Sequence, residues 1–353
     1  MKILVVNPGS TSTKMGIFED EKPILIKSIQ YTADQLAAYP TAFDQLEMRQ
    51  NDLLHAVEAE GMPFEFDAVI GRGGLTHPIP AGVYEVNAQM LHDTRHSTLQ
   101  HVCNLACHIA DTLARRCTKA RAFIADPEIV DEMLPEAHIC GSPLMQRASV
   151  WHALNQRAIA RRFAQIQGCR YEDLNLIVAH LGGGITVGAH EKGRTIDVNN
   201  GLNGEGPFSP ERAGTLPAAD LIRLCYSGKF EETELLKRIA GKAGLNAHLG
   251  TTDAREIERR IAHGDEHAQL IYDAMIYHTA KAIAAQSAAL CGKIDAILIT
   301  GGMAHSEYIT SRLRARIGFL APVHLFPGEN EIESLAENAL AALRGEREIR
   351  QYQ

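Results

Sequence analysis

No run of apolar residues in this chain approaches the roughly 18 needed to cross a bilayer, so no membrane span is expected. Met1-Lys2 leads straight into an apolar segment, which leaves no room for a signal peptide. Cysteine is sparse and odd in number, seven scattered over 353 residues. That argues against a disulfide framework and for a reducing, cytoplasmic setting. The net charge of −8 speaks against a general affinity for nucleic acid or an anionic membrane, while allowing a locally basic pocket. Three nucleotide or hydrolase signatures are missing as well. Without Gly-x-x-x-x-Gly-Lys-Ser/Thr the chain is not a Walker-type NTPase. Gly182, Gly183, Gly184 and Gly188 do not fit Gly-x-Gly-x-x-Gly and lead into a strand, which disfavours a dinucleotide fold. The absence of a Gly-x-Ser-x-Gly elbow weakens a serine hydrolase reading.

What is present is ordinary in bulk and specific in detail. Hydrophobic residues make up 45% and charged residues 22%, as in globular proteins, and 353 residues exceed a usual single core. The detail begins at Ile3–Phe18. Ile3 to Val6 read as a strand buried on both faces. Asn7-Pro8-Gly9 breaks it, the hydroxyl residues Ser10 to Thr13 fill a turn, Lys14 follows, and Met15 to Phe18 return as a strand. Such a turn suits a phosphate chain, although a lone instance is more often a polar hairpin. It is not alone: Leu176–Val187 repeats strand, polar residue, small-residue turn and strand. Each copy continues into a further turn (Glu19–Pro23, Glu191–Arg194) and a third extended segment (Ile24–Ile29, Thr195–Val198). One supersecondary unit is used twice, about half a chain apart.

Between and after these units the pattern alternates. Helices are predicted over Ala33–Glu60, Gln89–Arg116, Met145–Gln167, Leu216–Tyr226, Glu232–Ala240, a stretch from Asp253 to His263, Glu266–Leu290, Ser306–Ile317 and Glu331–Arg344. Arg157, Arg161 and Arg162 are expected on a solvated face. Strands are predicted at Phe66–Gly71, Arg121–Ala125, Ala296–Thr300 and Val323–Phe326, which makes an α/β protein whose second half repeats the first. Asn199–Gly214 is a long Gly/Pro-rich loop of the functional kind. Ligands of such sheets bind beyond the carboxyl ends of strands, which points at Asn7, Arg72, Asp126, His180 and Gly301-Gly302. Cys103 and Cys107 share a helical face near His101 and His108; a metal site is conceivable there, but small buried helix cysteines are the commoner outcome.

The segment Ile-Leu-Val-Val-Asn-Pro-Gly-Ser-Thr-Ser-Thr-Lys, residues 3–14, resembles the N-terminal signature of the acetate kinase family, most closely its butyrate kinase branch. Supporting stretches run in order along nearly the whole chain: Gly71–Pro80, Trp151–Gln156, His180–Gly184, Gly206–Gly214, Gly241–Asn246, Leu249–Asp253 and Thr300–Ser306. The resemblance implies two duplicated actin-like (ribonuclease H-like) α/β domains with an ATP cleft between them, residues 1–148 plus 334–353 and residues 149–333. It also implies reversible phosphoryl transfer between ATP/ADP and a short-chain carboxylate, with Mg²⁺. By similarity, Arg72 and Arg212 hold the carboxylate and the moving phosphoryl group, and His152 donates to one of its oxygens. Asn7, Ser10, Ser12 and Lys14, with His180, Gly182, Gly183 and Gly184, line the phosphates. Gly301 and Gly302 lie against adenosine, and Asp126 supports Mg²⁺. A homo-oligomer, dimer or higher, is expected, with small-molecule partners only and neither nucleic acid nor membrane.

Two departures from the acetate kinase pattern matter. A Mg²⁺-associated glutamate of that family aligns with Ala304, leaving Asp126 or an unplaced acid such as Glu329 or Glu331. A valine two residues past the substrate arginine is replaced by Gly74, which is expected to open the acyl end of the pocket. Trp151 is expected either in the core or as a wall of the same pocket.

Overall fold

Ile3, Leu4, Val5 and Val6 are wholly buried, as a run of apolar residues without alternation requires. They form the centre of β1 in the computed structural model, which describes residues 1–97 and 100–353. Residues 98 and 99, inside the stretch predicted as Gln89–Arg116, lie outside the described residues. Twelve strands are seen among them: β1 (Lys2–Pro8), β2 (Ser12–Glu19), β3 (Lys22–Gln30), β4 (Ala68–Gly71), β5 (Val83–Glu85), β6 (Arg121–Ala125), β7 (Asn175–Leu181), β8 (Ile185–Glu191), β9 (Arg194–Val198), β10 (Ala296–Gly301), β11 (Val323–Pro327) and β12 (Ile349–Gln351).

The chain divides into unit 1, Met1–Val130 with Asn330–Gln353, and unit 2, Asp131–Glu329. Unit 1 holds a seven-stranded sheet in the order β12-β5-β6-β4-β1-β2-β3; unit 2 holds a five-stranded sheet in the order β11-β10-β7-β8-β9. Both contain the same run, an antiparallel meander of three strands followed by two parallel strands: β3-β2-β1-β4-β6 and β9-β8-β7-β10-β11. Each meander carries one register shift, at Ile17/Phe18 and at Ala189/His190. The repeat read from the sequence is therefore a repeat of pairing and not only of pattern.

In unit 1, Leu4, Val6, Met15 and Ile17 pack with Leu53, Leu105, Ile109 and Leu113 into one core. The helix Glu331–Leu343 packs on β1, β2, β4 and β6. In unit 2 the long helix Glu266–Ala289 joins Ile177, Val187 and Ile299 through Tyr272, Met275, Ile276 and Ile283. The turn after β1 is fixed from below by Arg49, a fully buried side chain. Its Nη1 donates to Ser12 O at 3.0 Å and Thr13 Oγ1 at 2.8 Å, and the guanidinium lies 4.6 Å from the Tyr31 ring. A buried cation tied to a backbone carbonyl makes this loop a rigid element. Among the described residues no helix is long and apolar enough to cross a membrane. All seven cysteines are described and are free thiols.

Several expectations need correction. The units divide at 130/131 and 329/330 and not at 148/149 and 333/334. Residues 131–148 bind unit 2 instead: Leu134 N donates to Ile196 O, and Arg147 reaches Asp197, Val198 O and Glu205. Those same bonds to Arg147 hold its segment out of the helix, which starts at Ala153 and not at Met145. Arg157 is buried, with Nη1 donating to Glu132 Oε2 and Gly193 O, each at 3.1 Å. Strands β5 and β12, three residues each, had no signal in the sequence. Cys107 Sγ and His108 Nε2 both meet Thr94 Oγ1, at 3.4 and 3.0 Å, in a buried hydrogen-bonded cluster. Among the described residues no group of three or more His, Cys, Asp or Glu is gathered that could hold a metal ion.

Candidate active site

Strand ends place the polar residues of unit 1. Asn7 stands near the end of β1, opposite Lys14 of β2, and Arg72 directly follows β4. The helix Glu331–Leu343 begins with Glu331, just after Asn330 at φ 44°, a left-handed residue that turns the chain into the helix. Glu331 joins the two: its Oε2 accepts from Asn7 Nδ2 at 2.7 Å, and its Oε1 lies 2.8 Å from Arg72 Nη1. Arg72 Nε lies 3.0 Å from Glu128 Oε1. A carboxylate at a helix start is favoured by the helix dipole as well as by the arginine. Ser10 is exposed, Ser12 half-buried and Lys14 exposed, around a turn closed by Gly9 N donating to Ser12 O at 2.7 Å.

Unit 2 presents a second group. His180 is the penultimate residue of β7, is 1% exposed, and its Nδ1 pairs with Asn155 Oδ1 at 2.8 Å. Asn155 in turn donates from Nδ2 to Glu329 O at 2.7 Å. His152, just before the helix Ala153–Ile166, stacks on His180 with ring centroids 3.9 Å apart and planes 14° apart. The turn Gly182–Gly184 follows, with Gly182 N donating to Gly184 O at 3.0 Å. The long loop beyond β9 folds back onto it: Ser209 Oγ donates to Gly183 O at 2.7 Å, and Glu211 N to the same oxygen at 3.1 Å. Arg212 lies along Gly184 and donates from Nη1 to Gly201 O at 2.6 Å. The absence of a side chain at Gly184 is what leaves room for that guanidinium.

The glycines after β10 have different reasons. Gly301 takes φ 91°, and a Cβ there would sit 2.6 Å from Leu181 C and 2.7 Å from Leu181 N. The protein's own backbone is therefore enough to require glycine there. At Gly302 a Cβ would meet no protein atom within 4 Å, so open space remains beside it.

The acyl-pocket expectation changes. A Cβ on Gly74 would lie 2.9 Å from Asn104 Cα and 3.0 Å from Thr94 Cγ2, so the space a valine would need is already filled. Trp151 is buried with its ring edge-on to His190 at 5.8 Å. Neither residue offers an open wall. Gly74→Val is accordingly expected to lower unfolding free energy by about 1–3 kcal/mol through overpacking, read as a shifted urea midpoint. An unchanged midpoint with a narrowed choice of acids would reinstate residue 74 as a pocket wall.

Asp126, Glu128 and Glu331 of unit 1 each carry the hard carboxylate oxygens that magnesium prefers, but they are not gathered into one protein cage, so phosphate and water would have to complete the shell. Glu128 Oε2 is buried with no hydrogen-bond partner, as an oxygen awaiting a cation or its water would be. Asp126 is 1% exposed at φ 40°, and its Oδ1 accepts from Gly82 N at 2.9 Å while its own N–H donates to Gly82 O at 3.0 Å. One Asp126 oxygen therefore shapes the turn. Ala304, where the family glutamate was expected to fall, is buried in a short 3₁₀ helix.

Sequence reasoning named Asn7, Arg72, His152, His180 and Arg212 but not Asn155 or Glu128, and it left Glu331 undecided. Asn155 could have been found, because it stands three residues after His152 at the start of one helix.

Comparison with known proteins bears on the family. Residues 145–325 match the acetokinase family. A Bacteroides thetaiotaomicron protein described as a probable butyrate kinase is 59% identical over 352 residues, covering 100% of both chains. A Phocaeicola vulgatus protein of the same description is 51% identical, over 100% of this chain and 99% of its own. The fold resembles that of Porphyromonas gingivalis acetate kinase, with TM-score 0.78, 19% identity, and 96% and 98% of the two chains covered. Chain-long identity at this level, together with the matched family region, establishes that the protein belongs to the acetokinase family.

Proposed function

We propose that the protein is an ATP-dependent butyrate kinase, converting butanoate and ATP reversibly to butanoyl phosphate and ADP. The observation that carries the reading is the 59% identity, end to end, with a protein described as a probable butyrate kinase. The two units are then duplicated actin-like domains, in a cytoplasmic enzyme working as a homo-oligomer.

The chemistry follows from the charges. A carboxylate is already an oxygen nucleophile and needs no general base. The difficulty lies in bringing two anions together while the phosphoryl group passes, in line, through a charge-spread transition state. Fixed cations and oriented N–H donors supply most of the rate in such a case. Arg72 and Arg212 neutralise the acid and the moving phosphoryl group. His152 donates to one of its equatorial oxygens. Asn7, Ser10, Ser12 and Lys14 bind phosphate oxygens, as do the backbone N–H groups of the Gly182–Gly184 turn and His180. Gly302 borders adenosine. Asp126, with Glu128 or Glu331, would hold Mg²⁺ directly or through water, and the ion would supply positive charge to the phosphates.

Assaying acids of two to five carbons with ATP and hydroxylamine tests the substrate. Butanoate is expected to give the highest kcat/KM, with its neighbours lower in graded steps, because one methylene in an apolar pocket is worth about 1–3 kcal/mol. A maximum at acetate or propionate would move the protein to another acid within the same chemistry. ATP turnover indifferent to every acid would instead make it a water-using ATPase of the same fold, for which Arg72, His152 and Arg212 have no evident use.

A further inference from the structure

Behind His152 runs a series of buried hydrogen bonds whose direction can be worked out link by link. Gln156, fully buried, lies one helical turn after His152. Its Nε2 is 3.1 Å from the carbonyl oxygen of Thr186. A carbonyl can only accept, so the amide nitrogen must face Thr186 and Oε1 must face the other way. That Oε1 is 3.0 Å from His190 Nε2, which therefore carries a proton. Burial pushes the His190 pKa well below its ordinary value, so this ring holds a single proton. Its Nδ1 is then an acceptor, and the Tyr171 hydroxyl donates to it at 2.6 Å.

The other direction is equally constrained. Gln156 Nε2 also lies 2.9 Å from Thr186 Oγ1, which accepts there. Thr186 is wholly buried, and an unmet hydroxyl proton in such a place is costly. Of the side chains bonded to that hydroxyl, Gln156 offers only a donor, whereas His152 offers Nδ1 at 2.8 Å. Every link then donates the same way: Tyr171 to His190, His190 to Gln156, Gln156 to Thr186, Thr186 to His152.

We propose that Thr186, set by Gln156, His190 and Tyr171, is a positioning residue that holds His152 with Nδ1 accepting and the ring proton on Nε2. His152 thus meets an anion as a hydrogen-bond donor and not as a base. The stack on His180 fixes the plane of the ring, and the hydroxyl of Thr186 fixes its proton. The consequence for phosphoryl transfer rests on the function proposed above; the tautomer does not.

The test uses full-length protein labelled with ¹⁵N-histidine, with His152 identified by the signals lost in His152→Gln. Two-bond ¹H–¹⁵N correlations then show which ring nitrogen is protonated. The parent and Thr186→Ser are expected to hold the proton on Nε2, while Thr186→Val mixes the two forms. In parallel, Thr186→Val is expected to lower kcat about 10–100-fold with KM for butanoate nearly unchanged, and Thr186→Ser to restore most of it. A parent ring protonated on Nδ1 overturns the proposal, as does Thr186→Val with unaltered tautomer and kcat. Should Thr186→Val fail to fold, the parent spectrum still decides. A proton on Nε2 in a protein that phosphorylates no acid would refute the functional reading and leave this assignment standing.

Discussion

Arg72→Ala enzyme is expected to lose about 10³–10⁵-fold in kcat/KM for butanoate, the range seen when a transition-state arginine is removed from a phosphoryl-transfer site. Arg72 is held by Glu331 at 2.8 Å and Glu128 at 3.0 Å, with only 19% of its side chain exposed. Removing the guanidinium leaves two carboxylates without their cation, so some stability is lost as well. Arg72→Lys separates the two effects. The ammonium keeps a positive charge near Glu331 and should recover most of the stability, but it lacks the planar fork that grips carboxylate and phosphate together. Stability by urea unfolding and turnover by acyl hydroxamate formation should therefore part company in the lysine variant. Folded Arg72→Ala protein working at the parent's rate would remove the arginine from the mechanism.

Gly184→Ala is expected to inactivate almost as completely as Arg212→Ala, although it deletes no functional group. The added methyl would overlap Arg212 Nη1 and Cζ and lie 2.9 Å from Nε. A guanidinium at the end of a flexible side chain can swing aside, so the fold should survive with a stability change of about 1 kcal/mol or less. What goes is the placement of the cation, including its bond to Gly201 O. A misplaced charge is worth little in a site built on fixed ones. Because both substitutions act on one guanidinium, the double variant should be no slower than Arg212→Ala alone. Parent-like kcat in a folded Gly184→Ala protein would show that Arg212 acts from some other position.

How far the sequence could be read depended on how far apart the interacting residues are. The meanders were legible because buried strands interrupted by Asn-Pro-Gly or Gly-Gly-Gly are local signals, and the strand-end rule then picked out Asn7, Arg72 and His180. Pairings across long stretches were not legible. Glu331 meets Asn7 and Arg72 only after most of the chain has intervened. Arg157 has the periodicity of a solvated face yet is buried against Glu132 and Gly193. Residues 145–152 look helical, but Arg147 is bound to Asp197, Val198 and Glu205, and tertiary bonds outweigh propensity. Gly74 and Gly301 carry a constraint that local sequence does not show: a Cβ at each would meet backbone brought in from elsewhere, at Asn104 and Leu181.

The seventh strand and a core helix of unit 1 are the part of the chain translated after unit 2, since residues 330–353 follow 131–329. At about 5–20 residues per second, unit 2 takes the ribosome roughly ten seconds or more to make. All that while the first 130 residues lack the helix that covers β1 and β2, and they carry Arg72 with Glu128 but without Glu331. Domains generally fold as units, so unit 1 cannot be completed until residues 330–353 have been made. Its unfinished apolar face is therefore what a chaperone would find on the nascent chain.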